Sequence, residues 1–106
     1  MAAVKPAAPE SPARKTSTTQ SVTVKWNAPT DNGGDPIDDY EVYWDSGLGG
    51  GSFFTLGSSS GLTEFTKSGL EEGKAYRFKI SAENYIGEGP QSVEVTLIAA
   101  TVPDQP

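Results

Sequence analysis

The sequence predicts an all-β protein, an antiparallel sandwich of seven short strands in two sheets. Three observations carry that prediction. Apolar and polar residues alternate with a period of two in segment after segment. Glycine and proline, 12 and 8 of the 106 residues, gather between those segments. No stretch repeats its apolar residues at helical spacing. The length suits one domain rather than two, and a hydrophobic fraction of 35% suits many short strands joined by turns.

Taken in order, residues 1–8 of MAAVKPAAPE are rich in Ala and Pro without periodicity, and read as an N-terminal linker or tail. The domain is expected over residues 9–101, with 102–106 a linker toward a following module. A weak first strand is expected near Pro12–Thr16. In SVTVKW, Val22, Val24 and Trp26 alternate with Ser21, Thr23 and Lys25. Turn chemistry follows in NAPTDNGGDP. In IDDYEVYW, Tyr40, Val42 and Trp44 share one face, with Glu41 and Tyr43 on the other. DSGLGGGS reads as a flexible turn, SFFTL as a short strand and GSSSG as another turn. LTEFTK reads as a strand with Thr63 and Phe65 inward. After SGLEEGK, Tyr76, Phe78, Ile80 and Ala82 alternate with Arg77, Lys79, Ser81 and Glu83. YIGEGP then reads as a glycine-rich loop, and Val93, Val95 and Leu97 as the inward face of the last strand. The candidate core is Trp26, Tyr40, Val42, Leu70, Tyr76, Phe78 and Ile80. A buried Trp or Tyr removes about 150–250 Å² from water, so the rings supply much of the driving force for so small a core.

Several residues together resemble a fibronectin type III domain. Trp26 stands where that family places a core tryptophan, followed by a proline-bearing loop at Pro29. PIDDYEVYW resembles the third strand. Leu70, Gly73 and Tyr76 match the Leu-x-x-Gly-x-x-Tyr corner. Asn84, Gly87, Gly89 and Pro90 stand at the expected places after the sixth strand, and VPDQP resembles the link into a following module. The resemblance implies an immunoglobulin-like sandwich with sheets ABE and C′CFG. It also implies a corner tyrosine that buries its ring and satisfies its hydroxyl on nearby backbone. Three departures stand out. SPARKTS lacks the usual apolar pair, so the first strand is expected to fray. Lys67 replaces an apolar residue, and Glu72 replaces a frequent proline.

Catalytic and metal chemistry finds little support. GSSSG matches a nucleophile-elbow pattern, but that motif needs a following helix and a base, normally histidine; the chain has no histidine. GLGGGS lacks the lysine of a phosphate-binding loop. DNGGDPIDD fails as a calcium loop, since Gly33 brings no side-chain oxygen, Pro36 replaces the turn glycine and the closing Glu is missing. Asp38 and Asp39 should point to opposite faces, which argues against a converging glycosidase pair. Without Cys or His, a zinc site has no usual ligands. No cofactor is expected, and no enzyme activity.

Partners are bounded by charge. Eight Lys and Arg against 14 Asp and Glu give a formal net charge of −6, which argues against nucleic acid and anionic membranes. No apolar run approaches a membrane span, and MAAVKPAAPE lacks the apolar core of a signal peptide. The absence of cysteine permits a reducing compartment, and an intracellular or an extracellular setting both remain open. On the outer face of the second sheet, Glu41 and Tyr43 are expected beside Arg77 and Lys79, with Glu94 across from them. That face is either a set of strand-pairing charges or a partner surface around Tyr43. Tyr85 and Ile86 have no turn role at the tip of YIGEG, so they either pack on the end of the sandwich or await a partner. The resemblance implies binding through this loop and through the loop after the second strand. The candidate partner-binding residues are therefore Thr30, Asp31, Asn32, Tyr43, Tyr85, Ile86 and Glu88. The integrin tripeptide Arg-Gly-Asp is absent.

The function expected is a non-catalytic fibronectin type III module of a larger multidomain protein, monomeric in isolation. It would act as a spacer and protein–protein interaction domain toward a protein partner or neighbouring domains of its own chain. The alternative is an accessory or carbohydrate-binding module attached to a catalytic domain, with Tyr43, Tyr85, Phe53 and Phe54 as its aromatic candidates. The fold serves adhesion proteins, receptors, muscle proteins and secreted enzymes, so it does not choose among them.

Overall fold

In a computed structural model, residues 3–45, 47 and 53–100 are described. They form eight strands: β1 (Glu10–Ser17), β2 (Val22–Asn27), β3 (Asp39–Trp44), β4 (Phe54–Ser58), β5 (Glu64–Lys67), β6 (Ala75–Asn84), β7 (Gly87–Gln91) and β8 (Val95–Ile98). One sheet has the order β1-β2-β5. The other has the order β4-β3-β6-β7, and β8 also pairs with β6. Every pairing is antiparallel. The two sheets match ABE and C′CFG. The count is eight rather than seven because the last strand runs beside β6 in two pieces, β7 and β8.

Residues 92–94 separate those pieces, and Ser92 bridges the gap. Its amide donates to the Ile80 carbonyl at 2.6 Å, and its hydroxyl accepts from the Ile80 amide at 3.0 Å. Val93, expected inward, is exposed, and Ser92 is buried in its stead. The register shifts by one residue here, which reverses the faces of the segment.

The core lies between the sheets. Val22, Val24 and Trp26 from β2 meet Tyr40 and Val42 from β3 and Tyr76, Phe78, Ile80 and Ala82 from β6, closed at one end by Leu70, Leu97 and Ala99. All seven candidate core residues are buried. Trp26 and Tyr40 pack edge to face across the sheets, centroids 5.4 Å apart. Trp44 is half-buried. It stacks on Tyr76 at 5.5 Å, and the Lys67 ammonium lies 5.3 Å from its ring centroid. Lys67 thus closes the core with a cation over a ring, where an aliphatic side chain would close it by packing. Phe65 packs against the core as expected, but Thr63 is exposed, just ahead of β5.

The first strand is longer than its composition suggested. It spans eight residues and takes register shifts between Glu10 and Ala13 and between Arg14 and Thr16. Pro12 falls within the first shift, on an edge strand, where a missing N–H costs no ladder bond. At the opposite end of the molecule from Lys67, residues 3–9 do not trail free as a linker would. Pro6 and Pro9 are buried, and the segment lies against the β2–β3 loop.

Candidate functional site

The β2–β3 loop is built from two successive Asx turns. Asp31 Oδ1 accepts from the Gly33 amide and Asn32 Oδ1 from the Gly34 amide, each at 2.9 Å. Gly33 and Gly34 have φ of 78° and 88°, a left-handed backbone that glycine adopts without strain. Short polar side chains followed by paired glycines fold this way locally.

The β6–β7 connection is tighter than the sequence suggested. YIGEGP is mostly strand: Gly87–Gln91 is β7, and only Tyr85 and Ile86 form the tip, between paired Asn84 and Gly87. Two-residue hairpins usually rely on positive φ in the turn. Neither tip residue has it. Asn84 closes the turn from below, its Oδ1 accepting from the amides of Ile86 at 2.9 Å and Gly87 at 3.2 Å. The Asn84 Nδ2 donates to the Val4 carbonyl at 2.7 Å and the Asn32 carbonyl at 2.9 Å. Asp35 Oδ2 accepts from the Tyr85 amide at 2.9 Å. Loop, hairpin and N-terminal segment therefore meet on one carboxamide that is 3% exposed.

This arrangement brings Thr30, Asp31, Asn32, Tyr85 and Ile86 to one end of the molecule. The first three are exposed on the loop. The Tyr85 side chain is 86% exposed and Ile86 is 46% exposed, so neither tip residue packs down. Tyr43 and Glu88 belong to a different place, the outer face of the five-stranded sheet. There the half-buried Tyr43 hydroxyl and the Ser81 hydroxyl both donate to Glu88 Oε2. Burial, then the hydrogen bond to Glu88, pushes the Tyr43 phenol up to about 12.

The charges on that face follow expectation for Tyr43, Lys79, Arg77 and Glu94 but not for Glu41. Glu41 lies opposite Ser81 and Tyr43 opposite Lys79. Arg77 turns toward the other end: its Nε lies 3.5 Å from Glu94 Oε2 and 4.0 Å from the buried Asp45. Asp45 also accepts from the amides of Gly47 at 2.8 Å and Arg77 at 3.1 Å. The Lys79 ammonium lies 4.4 Å from the Phe53 ring centroid. Glu41 is left among carboxylates. Burial, then the charges of Glu88, Asp39 and Glu83, raises its carboxyl above the ordinary value. Asp39 goes the other way. Burial alone would raise it, but hydrogen bonds from Ser58 and from the amides of Gly61, Tyr40 and Ser60 outweigh that and lower it. Those bonds occupy the GSSSG turn: Ser58 donates to Asp39, and Ser59 Oγ to the Leu62 carbonyl at 2.5 Å. Among the described residues, no group of three or more Asp or Glu side chains is placed to hold a metal ion, and no helix is long and apolar enough to cross a membrane.

Sequence reasoning missed three participants. Asn84 read as a turn former, not as a bridge. Asp35 read as part of a solvated loop. The N-terminal segment read as linker, although Gly33 and Gly89 both mark a close backbone approach.

Comparison with known proteins bears on the identity of this sandwich. A family model described as the fibronectin type III domain matches residues 7–98. The chain belongs to the fibronectin type III family. As a fibronectin type III domain it is 33% identical over 98 residues to the Caenorhabditis elegans protein sax-3, covering 92% of this chain and 8% of that one. It is likewise 33% identical over 94 residues to the titin homolog of the same organism, covering 89% of this chain and a share of the relative that rounds to 0%. Among solved structures, the twitchin kinase region of C. elegans aligns with a TM-score of 0.83 at 26% identity, covering 92% of this chain and 17% of that one. The chain thus spans less than a tenth of the length of these two curated relatives. Fibronectin type III domains recur in such multidomain proteins, and the family is generally non-catalytic. The corner expected of the family is present: the Glu71 amide donates to the Tyr76 hydroxyl oxygen at 2.9 Å.

Proposed function

We propose that this fibronectin type III domain is a non-catalytic module of a larger multidomain protein, spanning residues 9–101 and serving as spacer and protein-recognition surface. The recognition surface is the end formed by the β2–β3 loop and the β6–β7 hairpin, with Thr30, Asp31, Asn32, Tyr85 and Ile86 as contact residues. One observation carries this reading. Tyr85 holds an aromatic ring 86% exposed on a tip whose backbone is braced from three directions. A large exposed ring on a fixed backbone binds with little ordering cost, since only its two side-chain torsions remain to be fixed. Tyr43 and Glu88 satisfy each other on a separate face, so they fall outside this surface.

The test compares amide spectra of the labelled domain with and without lysate from its native source, for the wild-type chain and for Tyr85→Ser/Ile86→Ser. Broadening of loop-end resonances that disappears in the double variant, with the core spectrum unchanged, is the expected result. Broadening that persists in the double variant, or that centres on Tyr43, would overturn the assignment.

A further inference from the structure

The segment ahead of β1 is seated on the same end of the sandwich. The Val4 amide donates to the Gly33 carbonyl at 2.8 Å and the Ala7 amide to the Asp31 carbonyl at 2.9 Å. Pro6 is fully buried. The seat has been cleared for backbone. A Cβ built on Gly33 would lie 2.0 Å from the Val4 carbonyl oxygen, and one on Gly89 would lie 2.0 Å from the Pro6 carbonyl oxygen. Real side chains essentially never approach so closely, so a residue larger than glycine at either place forces the backbone of the segment or of its seat to shift. The stem of Lys5 crosses Gly87, where a Cβ would stand 3.2 Å from Lys5 Cε. The segment therefore touches β7 at two glycines and the β2–β3 loop at two hydrogen bonds.

We propose that Val4–Pro9 is a strap that locks the loop end, and that drawing it off its seat turns the Tyr85 hairpin from braced to mobile. The coupling element is Asn84. One side of its carboxamide closes the hairpin through the amides of Ile86 and Gly87, and the other donates to Val4 and Asn32. Removing the strap strips one partner from a buried donor and uncovers the other, so the carboxamide loses the fixed position from which it caps the turn. The seating of the chain before β1 thereby sets how far the recognition tip is preorganised, a regulation that rests on the reading of this end as the binding surface. A tether under tension ahead of Val4, or a neighbour that competes for Gly33 and Gly89, would act through the same device.

The experiment is amide hydrogen exchange on the full chain without any partner. In the wild-type protein, the Val4 and Ala7 amides and the Tyr85, Ile86 and Gly87 amides are expected to open as one unit, with a shared opening equilibrium and a shared urea dependence. Gly89→Ala is the sharpest variant, because Gly89 does not have positive φ and the three atoms nearest an alanine Cβ there all belong to Pro6 of the strap. It is expected to speed exchange of both groups of amides by about tenfold or more while Val24 and Ile80 keep their rates. Asn84→Asp keeps the acceptor for Ile86 and Gly87 but loses the donors to Val4 and Asn32, and is expected to free the strap first. Gln91→Ala, on the same strand but exposed and beyond the two glycines that Lys5 and Pro6 touch, should change neither group. Strap amides that open at a different urea dependence from the hairpin amides in the wild type would overturn the coupling. So would a Gly89→Ala chain whose strap exchanges fast while the hairpin keeps its wild-type rates. Because no partner is present, a hairpin that fails to bind any protein leaves this outcome untouched, and the two readings fall separately.

Discussion

Tyr76 buries its ring against Trp44 and offers its hydroxyl oxygen to the Glu71 amide, so the two ends of one side chain contribute separately. Tyr76→Phe keeps the stacking and leaves an exposed amide to water; it should cost about 0.5–1.5 kcal/mol. Tyr76→Ala also empties the core and should cost about 3–5 kcal/mol. Urea melts of both variants give the difference, and a Phe variant as damaged as the Ala variant would mean that the corner, not the ring, dominates. Charge acts at the same scale through Glu41. Its carboxyl is raised in the folded state by burial and by Glu88, Asp39 and Glu83. A carboxyl raised on folding costs stability once it ionises, and the cost grows as pH rises from the unfolded pKa through the folded one. Glu41→Gln should therefore stabilise the domain at pH 7 by about 0.2–1 kcal/mol, the scale of like charges on neighbouring strands. The gain should vanish below about pH 4, where the unfolded-state glutamate is itself protonated. Asp39→Asn should do the reverse. Its carboxyl is lowered on folding, so it stabilises above its unfolded pKa and that contribution is lost as pH falls through the lower folded value. Chemical melts at pH 7 and pH 3.5 check both signs.

At the scale of elements, the ladder along β6 depends on one small residue. Ser92 supplies both a backbone donor and a hydroxyl acceptor to Ile80 across the break between β7 and β8. Ser92→Ala would leave the buried Ile80 amide unpaired, at about 1–3 kcal/mol, and should speed exchange at Ile80 more than at Val24. Equal rates at the two amides would show that the ladder does not depend on the hydroxyl. This break also shows what a sequence reveals. The strands β2, β3 and β6 were legible because each has one face turned to the core, and burial writes itself as period two. β7 was not legible, because GEGPQ pairs through its backbone and has no apolar side chain to bury. Its glycines serve the strap, and a requirement for empty space leaves no hydrophobic signature. The exposure of Tyr85 was open in the sequence, but the bracing beneath it was not. Asn84 finds its partners 80 and 52 residues away, and local patterning carries no information at that distance.

For the whole molecule, the two sheets share one core, and the tryptophans sit one on each sheet. Trp26 lies in β2 of the three-stranded sheet and Trp44 in β3 of the five-stranded sheet. Rings from both sheets interlock, Trp26 against Tyr40 and Trp44 against Tyr76 and Phe78. Neither sheet can keep its buried face without the other, so unfolding should be a single cooperative step. Two chains test this. Trp44→Phe leaves Trp26 as the only fluorophore of its kind, and Trp26→Phe leaves Trp44. Among the described residues the Trp26 Nε1 has no hydrogen-bond partner, so the second exchange removes no hydrogen bond to any of them. Within each chain, the urea midpoint from tryptophan fluorescence should coincide with that from far-ultraviolet circular dichroism. A fluorescence midpoint that precedes the dichroism in one chain alone would show its sheet parting first and refute the shared core. Kinetics should follow from the same topology. β1 pairs with β2, but β2 must also find β5, and β6 must reach back to β3. Such non-local pairing spends chain entropy before it returns contact energy, which places refolding in the millisecond-to-second range. Both tryptophan reporters should register it with one rate constant.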